Sequence, residues 1–330
     1  MDINKEIIGE KYIIHLDRCL GMGSFSSVYY GKRNDGEEVA IKKMEMGSKN
    51  QKIRESIEDE IVVMHTIKQN PHPNIVHCLD VVRDYKKDIV YIIMEYCDSG
   101  DLSKLMVKPI VEKFVQFYFT QIASGLKYLS FHGIIHRDMK PKNILLTNKR
   151  KVLKIADFGF ARYSDDSNLL DTVCGSPLYM SPEIIYGRLY NSQTDLWSIG
   201  MVLYEMLYGF HPFQHCKNTQ ELLDNIKGQI IDIPPPDNLN KNKEVSDECL
   251  SLLRMLLQKN VGRRITWDDF FKHSWINKYE YVSETSQLKN IRNDEIISVS
   301  LGSMMDSHLT DKDKDKDKDK DKDKDKDKDK

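Results

Sequence analysis

The spacing of apolar residues changes once in this chain, near residue 100, and that change does more than any other feature to limit its fold. From residue 12 to about 95 the pattern is strand-like. "VYYGKRNDGEEVAIKKME" carries two β-rich runs around Asp35-Gly36, which predicts a hairpin. One helix interrupts: across "QKIRESIEDEIVVMHTIK", Ile53, Ile57, Ile61, Met64 and Ile67 recur at steps of four and three. Asn70 to Pro73 breaks it, and apolar runs at 75–82 and 89–94 predict two more strands. After residue 100 the period is helical. Phe114, Tyr118, Ile122, Leu126 and Leu129 trace one stripe that stops at His132-Gly133. "SQTDLWSIGMVLYEMLYG" is apolar on most faces, as a helix buried inside a large lobe would be. Ser246 reads as the N-cap of a helix through Leu257, and Thr266 with Asp269 caps a last one near Phe270 and Phe271. Strands first and helices after predict an α+β chain with two lobes.

Between the first two of those later helices lies a helix-poor segment, 134–183, dense in His, Arg, Asp, Lys, Asn and Gly. Function is expected there, because a scaffold commonly presents its chemistry on connecting segments.

Composition closes off several classes. Lys and Arg number 49 against 51 Asp and Glu, a net charge of −2, so no basic excess argues for nucleic acid as a partner. The six cysteines (Cys19, Cys78, Cys97, Cys174, Cys216, Cys249) form no Cys-x-x-Cys pair or zinc spacing, which points to reduced thiols. The N-terminus lacks an apolar signal core, and the apolar stretch around Ile199 to Tyr204 stops at Glu205, too short to span a bilayer. The expectation is a soluble intracellular protein, cytoplasmic, with no membrane insertion. Periodicity fades beyond about residue 278, and residues 311–330 are ten Asp-Lys repeats, expected to form a disordered tail because they offer nothing apolar to bury.

"LGMGSFSSVYYG" supplies Gly21-x-Gly23-x-x-Ser26. A dinucleotide-binding turn with this spacing must open a helix, whereas Val28, Tyr29 and Tyr30 lead into a hairpin. No Walker pattern occurs. A strand–loop–strand flap over nucleotide phosphates fits the context. "VAIK", Val39 to Lys42, then puts a lysine on the partner strand, within reach of α- and β-phosphates. A carboxylate should hold that lysine, and Glu60 is the natural candidate ahead of Glu58 and Glu55.

"IIHRDMKPKNILL" and "KIADFGFAR" are more specific. His136-Arg137-Asp138 with Asn143 five residues on, followed by Asp157-Phe158-Gly159, resembles the catalytic loop and metal-binding turn of eukaryotic protein kinases. The resemblance covers about residues 12 to 276. It implies a protein-kinase-like bilobal fold: a small β-rich N-lobe with one helix over a larger helical C-lobe, with ATP in the cleft. It also implies domain bounds: 1–11 an N-terminal extension, 12–277 the kinase domain (12–97 and 98–277 its lobes, hinge at 95–97), 278–310 a linker and 311–330 the tail.

By that resemblance Asp157 and Asn143 hold Mg2+, for which Mn2+ could substitute; Asp138 accepts the substrate hydroxyl's proton; and Lys140 reaches the γ-phosphate. A lysine at 140 resembles the Ser/Thr-specific branch. The nucleotide would be lined by the loop Leu20, Gly21, Met22, Gly23, Ser24, Phe25 and Ser26, by Val28, Ala40 and Leu145 around adenine, by Met94 as gatekeeper, by Glu95 to Cys97 as hinge, and by Asp101 at the ribose. Ser26 replaces the family's third glycine. Asp195 and Trp197 would brace the catalytic loop, and Glu183 and Arg264 would pair.

Arg137 is expected to be a buried charge that wants an anion, supplied by phosphorylated Thr172 in the loop from Asp157 to Glu183. An upstream kinase or trans-autophosphorylation would add it. "ADFGFAR" with "CGSPLYMSPE", "YIIMEYCDSGDL" and "GIIHRDMKPKNILL" resembles the uncoordinated-51-like, autophagy-initiating Ser/Thr kinases. Ser176-Pro177 and Leu178 to Met180 would form a shelf for protein substrates. Lys142 predicts no requirement for arginine before the phosphoacceptor, with Asp101 and Glu205 leaving some acidic surface. The competing reading is a pseudokinase or scaffold that binds nucleotide without transfer; Lys42, Glu60, Asp138, Asn143 and Asp157 together weigh against it.

Overall fold

A computed structural model describes residues 4–23, 26–47, 50–163, 175–228, 231 and 245–277. Ser24 and Phe25 of the loop, Thr172, Cys174 and the whole stretch from 278 to 330 lie outside the described residues.

The first lobe is an antiparallel sheet of β1 (Lys5–Ile8), β2 (Tyr12–Met22), β3 (Ser26–Arg33), β4 (Glu38–Glu45), β5 (Cys78–Asp84) and β6 (Ile89–Glu95), in the order β1-β2-β3-β4-β6-β5. Alternation sets its two faces. Val39, Ile41, Tyr91 and Ile93 point into a core completed by Ile8, Tyr12, Ile14 and Ile89. The pairings Val28↔Lys42 and Ala40↔Met94 put those four side chains together on the opposite face. β1 lies within the segment read as an N-terminal extension. Its Ile8 is buried in the sheet core, which binds the strand to the lobe. Helix α1 (Gln51–Gln69) starts at Asn50, whose side chain accepts from the Lys52 amide, and buries Ile57, Glu60, Ile61, Met64 and Ile67.

The second lobe is helical: α2 (Glu112–Phe131), α3 (Pro182–Ile185), α4 (Gln193–Tyr208), α5 (Thr219–Gly228), α6 (Asp247–Leu256) and α7 (Trp267–Lys272). Nearly every side chain of α4 is buried. Ser246 and Thr266 cap α6 and α7 as the sequence predicts, accepting from the amides of Cys249 and Asp269. The sequence reading passes over α5, because only Leu222 and Ile226 bury deeply along it and two positions establish no period. The helix-poor segment contributes three-residue turns and the short strands β7 (Ile134–Ile135), β8 (Ile144–Thr147), β9 (Val152–Ile155) and β10 (Arg162–Tyr163); β8 pairs with β9, and β10 returns to pair with β7. The fold is thus the expected α+β arrangement of a β-rich lobe with one helix and a larger helical lobe.

Candidate active site

Lys42 leaves β4 on the face shared with Val28, Ala40 and Met94, and its ammonium meets two carboxylates: Glu60 Oε1 at 2.6 Å and Asp157 Oδ1 at 2.8 Å. Burial works to neutralise Lys42, but Glu60 and Asp157 overcome it and the net shift is upward, so the lysine stays charged. The Lys42 charge, opposed by burial, holds the Asp157 pKa down at about 2. Asp157 keeps 46% of its side chain exposed and is therefore an ionised carboxylate open to the cleft. Gly159 closes the group: a Cβ there would stand 3.3 Å from Lys42 Nζ and 3.4 Å from both Asp157 Oδ1 and Glu60 Oε2.

Asp138 is held from three sides. Its Oδ1 accepts from the Ser176 amide at 2.8 Å, and its Oδ2 accepts from Lys140 Nζ at 2.5 Å and Asn143 Nδ2 at 2.9 Å. Ionised carboxylates offer about four acceptor positions, so one remains for a further donor. Asn143 Nδ2 also donates to the Asp138 carbonyl, which leaves the amide oxygen of Asn143 as its available ligand atom. Lys140 bridges onward to Ser176 Oγ at 2.7 Å. The sequence reading gave Ser176 to the substrate shelf alone; the structure also ties its amide and hydroxyl into the Asp138 group. Beneath the loop, buried Asp195 accepts from the amides of His136 at 2.8 Å and Arg137 at 2.9 Å.

The apolar lining is recognisable by incomplete burial. Val28, Ala40, Met94 and Leu145 are each partly exposed, while Val39 and Ile41 on the other face of β4 are fully covered. Leu20 and Met22 are exposed beside the loop, whose Gly23 amide donates to Ser26 O at 2.8 Å. In the hinge, the Glu95 amide donates to His77 O at 3.1 Å, so that N–H is not a donor for a base. The Glu95 carboxylate accepts from the His77 amide and Lys154 Nζ, each at 2.7 Å. Burial pushes the Cys97 thiol up to about 12, which keeps it neutral. Asp101 caps the turn Leu102–Lys104, accepting from the Ser103 amide at 3.0 Å and from the Ser103 hydroxyl.

Arg137 is buried as expected, yet its guanidinium donates to uncharged groups: Nε to Phe160 O at 2.5 Å and Nη1 to the Tyr190 hydroxyl at 2.8 Å. No local motif marks Tyr190. Glu183 and Arg264 form a bidentate buried pair at 2.6 and 2.9 Å. Glu205 is a correction: read as acidic surface, it is half-buried and accepts from the Tyr179 hydroxyl at 2.6 Å, and burial raises its pKa. Lys142 is exposed. Among the described residues no group of three His, Cys, Asp or Glu side chains could hold a metal ion by itself, and no helix is long and apolar enough to cross a membrane.

The profile of the protein kinase domain matches residues 14–276. The chain is 39% identical over 271 residues to the serine/threonine-protein kinase atg1 of Dictyostelium discoideum, covering 79% of this chain and 39% of that protein. It is 38% identical over 265 residues to the serine/threonine-protein kinase ATG1c of Arabidopsis thaliana, covering 79% of this chain and 35% of that one. The serine/threonine-protein kinase ULK3 of Homo sapiens is 38% identical over 268 residues, covering 79% and 54%. The chain therefore spans between 35% and 54% of the length of these three relatives.

Proposed function

The chain belongs to the protein kinase family, and from that premise we propose that it transfers the γ-phosphate of ATP to serine and threonine hydroxyls of protein substrates. The observation that carries this reading is the pairing of two carboxylates with different surroundings. Asp138 is fixed by Ser176, Lys140 and Asn143 with one acceptor position left, which suits it to orient a hydroxyl and take its proton. Asp157 is ionised and open to the cleft, which suits it to a cation.

Mg2+ fits the donors. Asp157 offers a carboxylate and Asn143 an amide oxygen, hard ligands that leave most of an octahedral shell to phosphate and water. Bound there, the ion would neutralise charge on the transferring phosphoryl group. Lys42, kept charged by Glu60, would hold the α- and β-phosphates, and Lys140 the γ-phosphate. Val28, Ala40, Met94 and Leu145 would enclose the adenine, and the Cys97 backbone would supply hinge contacts. Asp101 is committed to its cap, so a ribose contact there would use the carboxylate's remaining acceptor positions. Mn2+ would substitute for Mg2+.

The reading extends to regulation at Thr172, by an upstream kinase or in trans, with Arg137 turning from Phe160 and Tyr190 to the phosphate. It also extends to a kinase domain of 12–277, preceded by the β1 segment and followed by a linker and tail, and to a cytoplasmic site of action.

The test is γ-phosphate transfer to serine, threonine and tyrosine peptides, with nucleotide binding measured in parallel. Transfer to the first two, lost in Asp157→Ala and reduced about 10²- to 10⁴-fold in kcat by Asp138→Asn, is expected. Nucleotide binding with no transfer by the wild-type chain would make it a scaffold. Thr172→Ala should lower activity, and full activity in that variant would remove Thr172 from the scheme.

A further inference from the structure

The strand that leads into the glycine-rich loop is not held to its neighbour by a regular ladder. β2 pairs with β3 at Ile14↔Gly31 and next at Cys19↔Tyr29, so the four residues from His15 to Arg18 stand opposite Tyr30. A second irregularity follows at Leu20, between Cys19↔Tyr29 and Gly21↔Val28. Both interruptions fall just before the loop, where backbone pairing to β3 would otherwise set its direction. Side chains make the connection instead. The Arg18 guanidinium carbon lies 3.5 Å from the centre of the Tyr30 ring, and the His15 ring centre is 5.5 Å from it. The Tyr30 hydroxyl donates to Glu38 Oε1 at 2.6 Å, which fixes the ring. In the hinge, Tyr96 meets the same ring edge-on, with centres 5.4 Å apart and planes at 85°. Tyr30 pairs with Ala40, so it stands on the face of the sheet that carries Val28 and Ala40, yet only 1% of it is exposed.

From this geometry we infer that Arg18 and Tyr30 are positioning residues that latch the root of the glycine-rich loop to the hinge and so set the affinity for nucleotide phosphates. The inference rests on the nucleotide reading proposed above and deepens it by naming what aims the loop. The loop has little packing of its own. A Cβ added at Gly21 would meet nothing within 4 Å, and Leu20 and Met22 are 45% and 82% exposed. Folding such a loop over phosphates costs conformational freedom, and a root fixed beforehand leaves less to lose on binding. The fixing runs in two steps. A planar guanidinium is attracted to the face of a tyrosine ring by the ring quadrupole, which holds β2 to β3 across the interruption. The edge-on contact between Tyr30 and Tyr96 then carries the connection to the hinge. Adenine would be enclosed by Val28, Ala40, Met94 and Leu145, none of which lies in the loop, so the latch acts on the phosphates and leaves the base pocket in place.

The experiment compares ATP with adenosine, both titrated calorimetrically into the full chain with Mg2+ present. Adenosine reports the base pocket, and ATP adds the phosphates that the loop would cover. Arg18→Met should weaken ATP binding about three- to tenfold and adenosine binding by less than about twofold. Arg18→Lys, which keeps a cation over the ring, should recover part of the loss. Tyr30→Phe keeps the ring but frees it from Glu38, and a smaller loss in the same direction is expected. Arg18→Met combined with Tyr96→Leu should lose no more than the worse single variant, because both break one connection. In steady-state assays the KM for ATP should rise in Arg18→Met while the peptide KM holds. A merely structural contact would lower the thermal midpoint and leave the ratio of ATP to adenosine affinity at its wild-type value, which would overturn the inference. Equal weakening of both ligands, or single effects that simply multiply in the double variant, would overturn it too. If the wild-type chain binds ATP but transfers no phosphate, it is the kinase reading that fails, and the affinity ratio still decides the latch; a wild-type chain that binds no ATP would remove both.

Discussion

Asp157 and Arg137 both hold left-handed backbone, at φ 64° and φ 65°, a conformation that side chains other than glycine adopt at a cost. Each is over-determined by its surroundings, Asp157 by Lys42 and Arg137 by Asp195, Phe160 and Tyr190, which is how strain persists at working sites. Gly175 is the sharper test at this scale. Its φ is 102°, and an added Cβ would stand 2.8 Å from Arg137 O and 3.3 Å from Asp138 Oδ1. Gly175→Ala should therefore push Ser176 away from Asp138, lowering stability by about 1–3 kcal/mol and, on the proposed kinase reading, kcat more than tenfold; steady-state kinetics and a denaturation curve would check both. Most of the side chains now gathered here were legible beforehand because they lie in two contiguous runs, 136–143 and 157–159. Tyr190 was not, since its relation to Arg137 exists only across the fold.

Helices and strands divide in the same way. The period of α1 could be read directly, and with it the side of the helix that carries Glu60; Glu58, two residues earlier, points to Arg83 instead. Strand β1 escaped because four residues carry too little pattern, and its place depends on pairing with β2. At α3 the decisive contact is the pair between Glu183 and Arg264, whose side chains are 4% and 0% exposed. Removing one partner strands the other as an uncompensated buried charge. Arg264→Met should cost about 3–5 kcal/mol, and the double change Glu183→Leu with Arg264→Met should recover much of it. Urea midpoints of the three proteins would show this, and equal losses in single and double variants would refute it.

For the molecule as a whole, stability should depend on pH through its buried histidines. Burial of His211, opposed by the Leu178 backbone, lowers its pKa from 6.5 to about 4. Between those values the unfolded chain binds more protons than the folded one, so stability rises with pH and is lost as pH falls from 6.5 toward 4. Asp157 acts in a lower window: its depressed pKa contributes stability that is lost only as pH falls from 3.8 to about 2. His211→Asn should flatten the upper window by up to about 3 kcal/mol, read as urea midpoints at pH 7 and pH 4.5; a residual slope is expected from His72 and His273, which burial also shifts downward. Sequence by itself determined the two-lobed α+β class, the capped helices and the residue types of the site. Each follows from local spacing or from motifs whose members are near neighbours in the chain. Only tertiary structure decided which groups those residues meet. It gave the Arg137 guanidinium neutral acceptors, took Glu205 from the surface, joined Ser176 to Asp138 and set Arg162 and Tyr163 against α1. The strength and charge of a side chain's contacts depend on burial and on residues far away in sequence, and neither is encoded in any one stretch.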